Sequence, residues 1–363
     1  MDVTVIGAGV AGLSCAVELA QRGVTVEVLD QAERLGAGGC SWFAGGMLAP
    51  WCEEENGGTL ICELGAEGLS WWREQLADRE DRAVCDDPTG RKASVGAAMN
   101  GTLVLAHGRD TGELTRFSRL TRRHEWLDGA SIVRLEPDLA GRFTTALFFR
   151  DEGHLDPRKA LTALVQRLDQ LQVPVRHGVH SRPGGKDSVH SQPRERSSWT
   201  IDCTGMGARE ALSDLRGVKG EMLVLRTPEI SLSRPVRVLH PRAPIYVVPR
   251  GDGLFMVGAT TIESDQPTRI SARSMLELLT SAYALHPAFG EAEIVEIGTG
   301  VRPAFPDNLP RIRREGNILY VNGLYRHGFL VAPALARRVA DFVQHGHRFP
   351  EVMNADLRER RLA

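Results

Sequence analysis

No two of the six cysteines (Cys15, Cys40, Cys52, Cys62, Cys85 and Cys203) stand at Cys-x-x-Cys spacing, and no histidine cluster accompanies them at zinc-ligand spacing. A disulfide-reductase type of redox pair is therefore excluded, no metal site is expected, and the thiols read as buried or incidental side chains. No stretch approaches the roughly 18–20 continuous apolar residues that a membrane helix needs. The chain opens on the apolar run Val3-Thr4-Val5-Ile6, without the basic-then-apolar order of a secretory signal, so the cytoplasm is the expected compartment. Neither sign of charge prevails: 44 basic residues face 46 acidic ones, for a formal net charge of −2. Without a basic tract, nucleic acid is not an expected partner. What is present is ordinary globular composition, with 42% hydrophobic and 25% charged residues in a chain of 363. That length exceeds one minimal domain and suits two intertwined ones.

Residues 3–30 read as strand, glycine-rich turn, helix, turn and strand, with Gly23 as the helix stop. This is a βαβ unit, and a parallel sheet is expected to follow from it. Residues 31–58 are Gly-rich and aperiodic, which in a compact protein usually marks function. A helix is expected over about 59–76, carrying Trp71 and Trp72; a strand is expected at 101–106, with a polar helical stretch after it. Asp156 and Pro157 supply an N-cap and first helical residue, and Leu161, Leu164, Val165, Leu168 and Leu171 then form one apolar face. Residues 181–198 read as an exposed loop or hairpin tip, and 199–203 as a strand. Beyond 218 the pattern changes. Residues 221–225, 245–248, 255–257 and 294–297 are β-like and separated by short turns, with one helix over 272–285. A last strand at 318–321 leads through a Gly-rich turn to a helix expected over 333–343.

The expected fold class is α/β: a Rossmann-type dinucleotide domain on a parallel sheet, interleaved with an α+β substrate domain on a mainly antiparallel sheet. The first would take about 1–80, 145–218 and 300–363, and the second about 81–144 and 219–299.

Gly7-Ala8-Gly9-Val10-Ala11-Gly12 is a G-x-G-x-x-G placed between a strand and a helix. Gly7 permits the turn, Gly9 lets backbone approach a pyrophosphate, and Gly12 allows close helix–strand contact. The helix N-terminus offers amide donors to phosphate, and Asp30, ending the second strand, can accept from ribose hydroxyls. Two further segments favour FAD over NAD. Residues 39–50 form a second Gly-rich stretch able to wrap a ribityl chain and the edge of an isoalloxazine. Gly323-Leu324-Tyr325-Arg326-His327-Gly328-Phe329 precedes the last helix, so its amides and dipole can face a flavin pyrimidine.

These segments, with Tyr246-Val247-Val248-Pro249, Val257-Gly258-Ala259-Thr260, Gly300-Val301-Arg302-Pro303 and Ala332-Pro333-Ala334, occur in an order that resembles the D-amino-acid-oxidase superfamily of flavoproteins. Within it the chain is most similar to the glycine oxidase branch, which feeds thiazole formation in thiamine synthesis. The resemblance implies that Val10, Ala11, Asp30, Gln31, Cys40, Ser41, Gly45, Gly46 and Met47 line FAD, that the Val179 backbone contacts adenine, and that Leu324 through Leu330 close over the flavin. It implies that Arg302 holds a substrate carboxylate, completed by Tyr246 and Arg326, with Met47 and Thr261 beside it. Relatives often carry Met at the position of Thr261, so the side-chain pocket is expected to differ in shape and polarity. No cysteine follows Cys203, so covalent attachment of flavin near the closing loop is not expected.

The residues agree with that chemistry. A planar guanidinium holds a carboxylate through two parallel hydrogen bonds, and Arg302 stands rigidly before Pro303. The alternatives are a surface pair of Arg302 with Asp307 and a structural ion pair for Arg326. His327 reads as a loop histidine, and the site shows no obvious catalytic His or Glu. The expected reaction is hydride transfer from the α-carbon of a small amino acid, glycine first, giving a 2-oxo acid, ammonia and, with oxygen, hydrogen peroxide. Rival readings are a dehydrogenase of the same fold that passes electrons to a quinone or partner subunit, and a flavin subunit of a tRNA-modifying or multi-component complex. A homo-oligomer is compatible with the sequence.

Overall fold

The computed structural model describes residues 1–80, 97–181 and 198–353. Strands Asp2–Ile6 and Thr25–Leu29 pair in parallel, with Val3 opposite Val26 and Val5 opposite Val28. All four valines are buried: at i, i+2 spacing and in register they share one face of the sheet, the face that packs in the helical core. Helix Val10–Gln21 connects the two strands and presses Leu13, Ala16, Val17 and Leu19 into the same core. The sheet has six strands. Trp199–Asp202 and Ile318–Asn322 extend it in parallel on one side, and Val175–Arg176 does so on the other. Arg311–Glu315 folds back antiparallel at the edge.

A nine-stranded sheet takes six strands from the β-rich second half and three, Thr102–Ala106, Glu125–Asp128 and Thr145–Phe149, from the first. It is mainly antiparallel, as expected, with one parallel pair joining Thr102–Ala106 to Val236–Leu239. Its long ladder is Arg216–Arg226 against Glu293–Ala304, a strand much longer than the 294–297 segment its apolar residues mark. Thr145–Phe149 also lies in this sheet. A small three-stranded sheet brings Met47–Leu48 and Ala97–Ala98 to Gly153–Leu155.

Helix Pro157–Gln170 starts on the expected cap: the Asp156 carboxylate accepts from the Arg158 and Lys159 amides. Helix Ala272–Leu285 has the expected bounds. Two expectations need correction. The aperiodic 31–58 stretch contains a short 3₁₀ turn at Cys40–Phe43 and the strand Met47–Leu48, and the next helix begins at Glu54, interrupted at Gly58 with φ 63°. The last helix spans Gly328–His345, so Pro333 sits inside it instead of opening it. Proline has no N–H for the carbonyl four residues back, which is that of Phe329. The buried Trp72 indole N–H donates to that oxygen at 2.7 Å and replaces the missing bond. Of the hairpin tip expected at 181–198, residues 182–197 lie outside the described residues, as does Cys85. Among the described residues no helix is long and apolar enough to cross a membrane.

Candidate active site

At the C-terminal end of the parallel sheet, Gly7 adopts φ +103°, and a Cβ on it would stand 2.7 Å from the Cys203 carbonyl oxygen. Gly9 differs: a Cβ there would meet only Ser41 Oγ, at 3.3 Å. A methyl on Gly9 would therefore press on a single protein atom, the Ser41 hydroxyl oxygen, and on no backbone. Helix Val10–Gln21 has no side-chain cap. The Val10 amide donates to Ser41 Oγ at 3.2 Å, and the Ala11 and Gly12 amides have no protein acceptor among the described residues. These first-turn donors and the helix dipole fit a diphosphate. Asp30 fits the adjoining sugar position. Its carboxylate accepts from the Ala32 amide at 2.7 Å and from the Ala8 amide, which leaves lone pairs for a diol. The Val179 amide donates to the Asp30 carbonyl at 2.9 Å, so Asp30, Gln31 and Val179 are neighbours.

A solvent-open cleft lies beyond this turn. Val10, Cys40, Ser41, Gly45, Gly46, Met47, Tyr246, Thr261, Arg302, Tyr325, Arg326, His327, Gly328, Phe329 and Leu330 all line it. Gly7, Gly9, Ala11, Gly12, Asp30, Gln31, Val179 and Leu324 are not on its wall. Residues more than 300 positions apart meet here because the first and last helices pack in one core. Arg250 holds the Gly-rich segment in place: its guanidinium donates to the carbonyls of Leu155 at 2.7 Å, Ala44 at 3.2 Å and Gly45 at 2.9 Å. Burial lowers the Arg250 pKa to about 10.

Arg302 lies in strand Glu293–Ala304 opposite Val218, and its guanidinium passes over Gly220. A Cβ at 220 would stand 2.1 Å from Arg302 Nη2, so only glycine leaves that space open. Arg302 Nη1 donates to the Thr260 carbonyl at 3.0 Å. Thr260 is fixed in turn. Its hydroxyl donates to Glu221 at 3.0 Å and accepts the Glu221 amide at 2.9 Å. Glu221 is fully buried and ion-paired to Lys219 at 2.7 Å. Among the described residues no carboxylate pairs with Arg302, and Asp307 pairs with Arg311 instead. Burial pushes the Arg302 pKa below its ordinary value. A desolvated cation without a counter-charge is a receptor for an anion.

Arg326 has a partner. Its Nη2 lies 3.3 Å from Glu53 Oε1, which Arg237 Nη1 also approaches at 3.3 Å. His327 Nδ1 stands 3.5 Å from the other Glu53 oxygen. Burial alone would raise the Glu53 pKa, but Arg326 and Arg237 outweigh it and hold it at about 2. Burial pushes His327 down to about 4, so the ring is neutral near pH 7. The sequence reading of a site without Glu or His is thus corrected: Glu53, Glu221 and His327 all reach the cavity wall. Glu53-Glu54-Glu55 looks in sequence like a solvated acidic run, and Arg237, its partner, stands 184 residues away. Neither glutamate is free to take a proton at neutral pH, because each is held in an ion pair.

The sequence matches the family described as FAD dependent oxidoreductase over residues 2–342. It is 53% identical over 340 residues to a putative thiamine biosynthesis oxidoreductase, ThiO, of Rhizobium etli, covering 94% of this chain and 95% of that protein. It is 26% identical to a glycine oxidase of Bacillus licheniformis, covering 94% of this chain and 92% of the relative. Among solved structures, glycine oxidase from Geobacillus kaustophilus superposes with a TM-score of 0.80 at 22% identity, over 96% of this chain and 95% of that one.

Proposed function

Because the chain belongs to the FAD dependent oxidoreductase family, we propose that it oxidatively deaminates glycine and similarly small amino acids or secondary amines such as N-methylglycine. The product would be the 2-oxo acid (glyoxylate from glycine), with ammonia and hydrogen peroxide, and the imine that precedes hydrolysis would supply thiazole formation for thiamine. The observation that carries this reading is the half-buried Arg302 guanidinium, unpaired with any described carboxylate, on the wall of a cleft floored by Gly220. The six-stranded sheet and its helices form the cofactor side, and the nine-stranded sheet carries the substrate side.

FAD would be held without a covalent bond, its diphosphate at the Gly9–Gly12 amides, its ribose at Asp30 and its ring system between residues 41–47 and 324–330. Bound there, it supplies a two-electron acceptor for hydride from the substrate α-carbon, with oxygen as the final oxidant. The chain does the positioning. Arg302, fixed through Thr260 and the Lys219–Glu221 pair, takes the carboxylate in its planar fork. Tyr246 flanks it, its ring pressed where a Gly45 Cβ would lie at 2.6 Å. No described carboxylate or imidazole on the wall combines a free lone pair with a pKa near neutrality, so the amine reacts after losing its proton to solvent. Orientation, not proton abstraction from carbon, is the main contribution of the protein.

The test is a panel of amino acids mixed with the yellow enzyme without oxygen. Glycine and N-methylglycine are expected to bleach the flavin, and peroxide is expected on admitting oxygen. No bleaching by glycine would overturn the assignment. Bleaching with dye reduction but no peroxide would instead favour a dehydrogenase that uses another acceptor.

A further inference from the structure

Arg326 lines the same cleft as Arg302, yet its charge is already engaged. Its Nη2 stands 3.3 Å from Glu53 Oε1, and no other carboxylate pairs with it among the described residues. Glu53 also lines the cleft and is only 7% exposed. The turn that carries it is pinned from below. The Glu53 amide donates to the Ala49 carbonyl at 3.0 Å, and the Trp51 and Cys52 amides donate to the buried Glu152 carboxyl at 2.9 and 2.7 Å. Arg237, the other cation on Glu53, does not depend on it, because it also meets Glu55 at 3.1 Å and the Cys52 carbonyl at 3.2 Å. The turn bearing Arg326 is fixed on both flanks. The Tyr325 amide, at φ 50°, donates to the Pro303 carbonyl at 3.0 Å, one residue from Arg302, and His327 Nδ1 faces the second Glu53 oxygen at 3.5 Å. The two arginines are near enough to feel each other: burial is the main cause that lowers the Arg302 pKa, and the charge of Arg326 adds to it. An unpaired Arg326 would put a second full positive charge on this wall, whereas the Glu53 pair largely cancels it.

We propose that Glu53 is a positioning residue that sets the charge of the cleft: it holds Arg326 out of carboxylate binding, leaves Arg302 as the single anion receptor, and fixes the 325–327 turn on the flavin side. This rests on the function proposed above for what binds at Arg302. Glu53 acts through Arg326 and His327 and touches no reacting atom. The cost of the arrangement is a weaker pull on any anion, and its gain is that one carboxylate has one place to dock.

The test compares the FAD-loaded wild type with Glu53→Gln, Arg326→Gln and the double variant, by spectral titration with acetate and by the midpoint potential of the bound flavin. Glutamine keeps the size of glutamate, and Arg237 keeps Glu55, so the fold is expected to survive. A unit charge acting across several ångströms of a partly wet cleft is worth about tenfold in anion affinity. Glu53→Gln should therefore bind acetate about tenfold more tightly and raise the flavin potential, because reduction adds negative charge beside it. Arg326→Gln should shift both the other way, and the double variant should return both to near the wild-type values. A Glu53 that only supports the fold would give no gain in affinity. Unchanged or weaker acetate binding in Glu53→Gln would overturn the proposal. So would a double variant as weak as Arg326→Gln alone, which would put the carboxylate on Arg326 itself. If Glu53→Gln loses its flavin, the comparison of Arg326→Gln with the double variant, whose neutral pair needs no counter-charge, decides in its place. Failure of glycine to bleach the flavin would overturn the underlying function, and the shifts in potential would still decide the role of Glu53.

Discussion

Replacing Gly220 by alanine separates the stability of this protein from its chemistry. The new methyl would stand 2.1 Å from Arg302 Nη2 and 2.2 Å from Cζ, whereas ordinary contact begins at 3.4 Å. The guanidinium must move by more than about 1 Å, and a misplacement of that size costs on the order of 10²-fold in a positioned reaction. Complete loss of a charge-assisted carboxylate pair costs about 2–5 kcal/mol, or roughly 30-fold to several-thousand-fold. The expected fall in kcat/KM for glycine lies between these, about 10²- to 10³-fold. The fold should hardly notice. The obstructing atoms are the far end of a flexible side chain, and Gly220 is not in the left-handed region. Removing glycine's extra freedom from the unfolded chain contributes about 0.4–1 kcal/mol, which offsets a weakened Arg302–Thr260 hydrogen bond of about 1 kcal/mol. The assay pairs thermal melting and the flavin spectrum with glycine kinetics, and adds a spectral titration with acetate, which needs only the carboxylate receptor. A yellow Gly220→Ala protein with wild-type glycine kinetics and wild-type acetate affinity would refute the placement of the substrate carboxylate at Arg302. A collapse of melting temperature with loss of flavin would refute the claim that only the guanidinium has to yield.

Arg302→Leu should lose glycine efficiency by roughly 30-fold to several-thousand-fold while keeping FAD, and Arg302→Lys should recover only part, because a point charge lacks the planar fork; steady-state kinetics decide. Gly9→Val should fold yet fail to retain FAD, since its nearest protein atom is Ser41 Oγ at 3.3 Å, whereas Gly7→Ala should lower the melting temperature through its +103° φ and the Cys203 carbonyl; flavin stoichiometry and melting curves separate the two. Trp72→Phe removes the only described donor to the Phe329 carbonyl freed by Pro333, which should cost about 1–3 kcal/mol of stability in denaturant unfolding. Glu152 accepts the Trp51 and Cys52 amides, and burial pushes its pKa up to about 8 from 4.5. Its neutral form therefore contributes stability that is complete below about pH 4.5 and is lost as pH rises through about 8, by at most about 1.4 kcal/mol per pH unit. Glu152→Gln should flatten that decline, and melting temperatures from pH 5 to 8.5 check it.

The local sequence determined the βαβ start, because alternation, a G-x-G-x-x-G and a terminal Asp are all written within residues 3–30. It also determined helix caps such as Asp156-Pro157, whose physics spans four residues, and the mainly antiparallel character of the second half. The segments that line the cavity were legible as Gly-rich breaks in periodicity. The tertiary structure alone decided what depends on distant pairing. The start of the last helix at Gly328 required Trp72, far away in sequence, to satisfy the carbonyl that Pro333 leaves open. Arg326 became an ion-pair partner because Glu53 and Arg237 converge on it, and a three-acid run carries no sign of that. Gly220 became the floor under Arg302 only through a register between strands about 80 residues apart, fixed by Val218 facing Arg302. Backbone conformation is written in neighbouring residues, whereas desolvation and charge pairing belong to whatever the folded chain brings within a few ångströms.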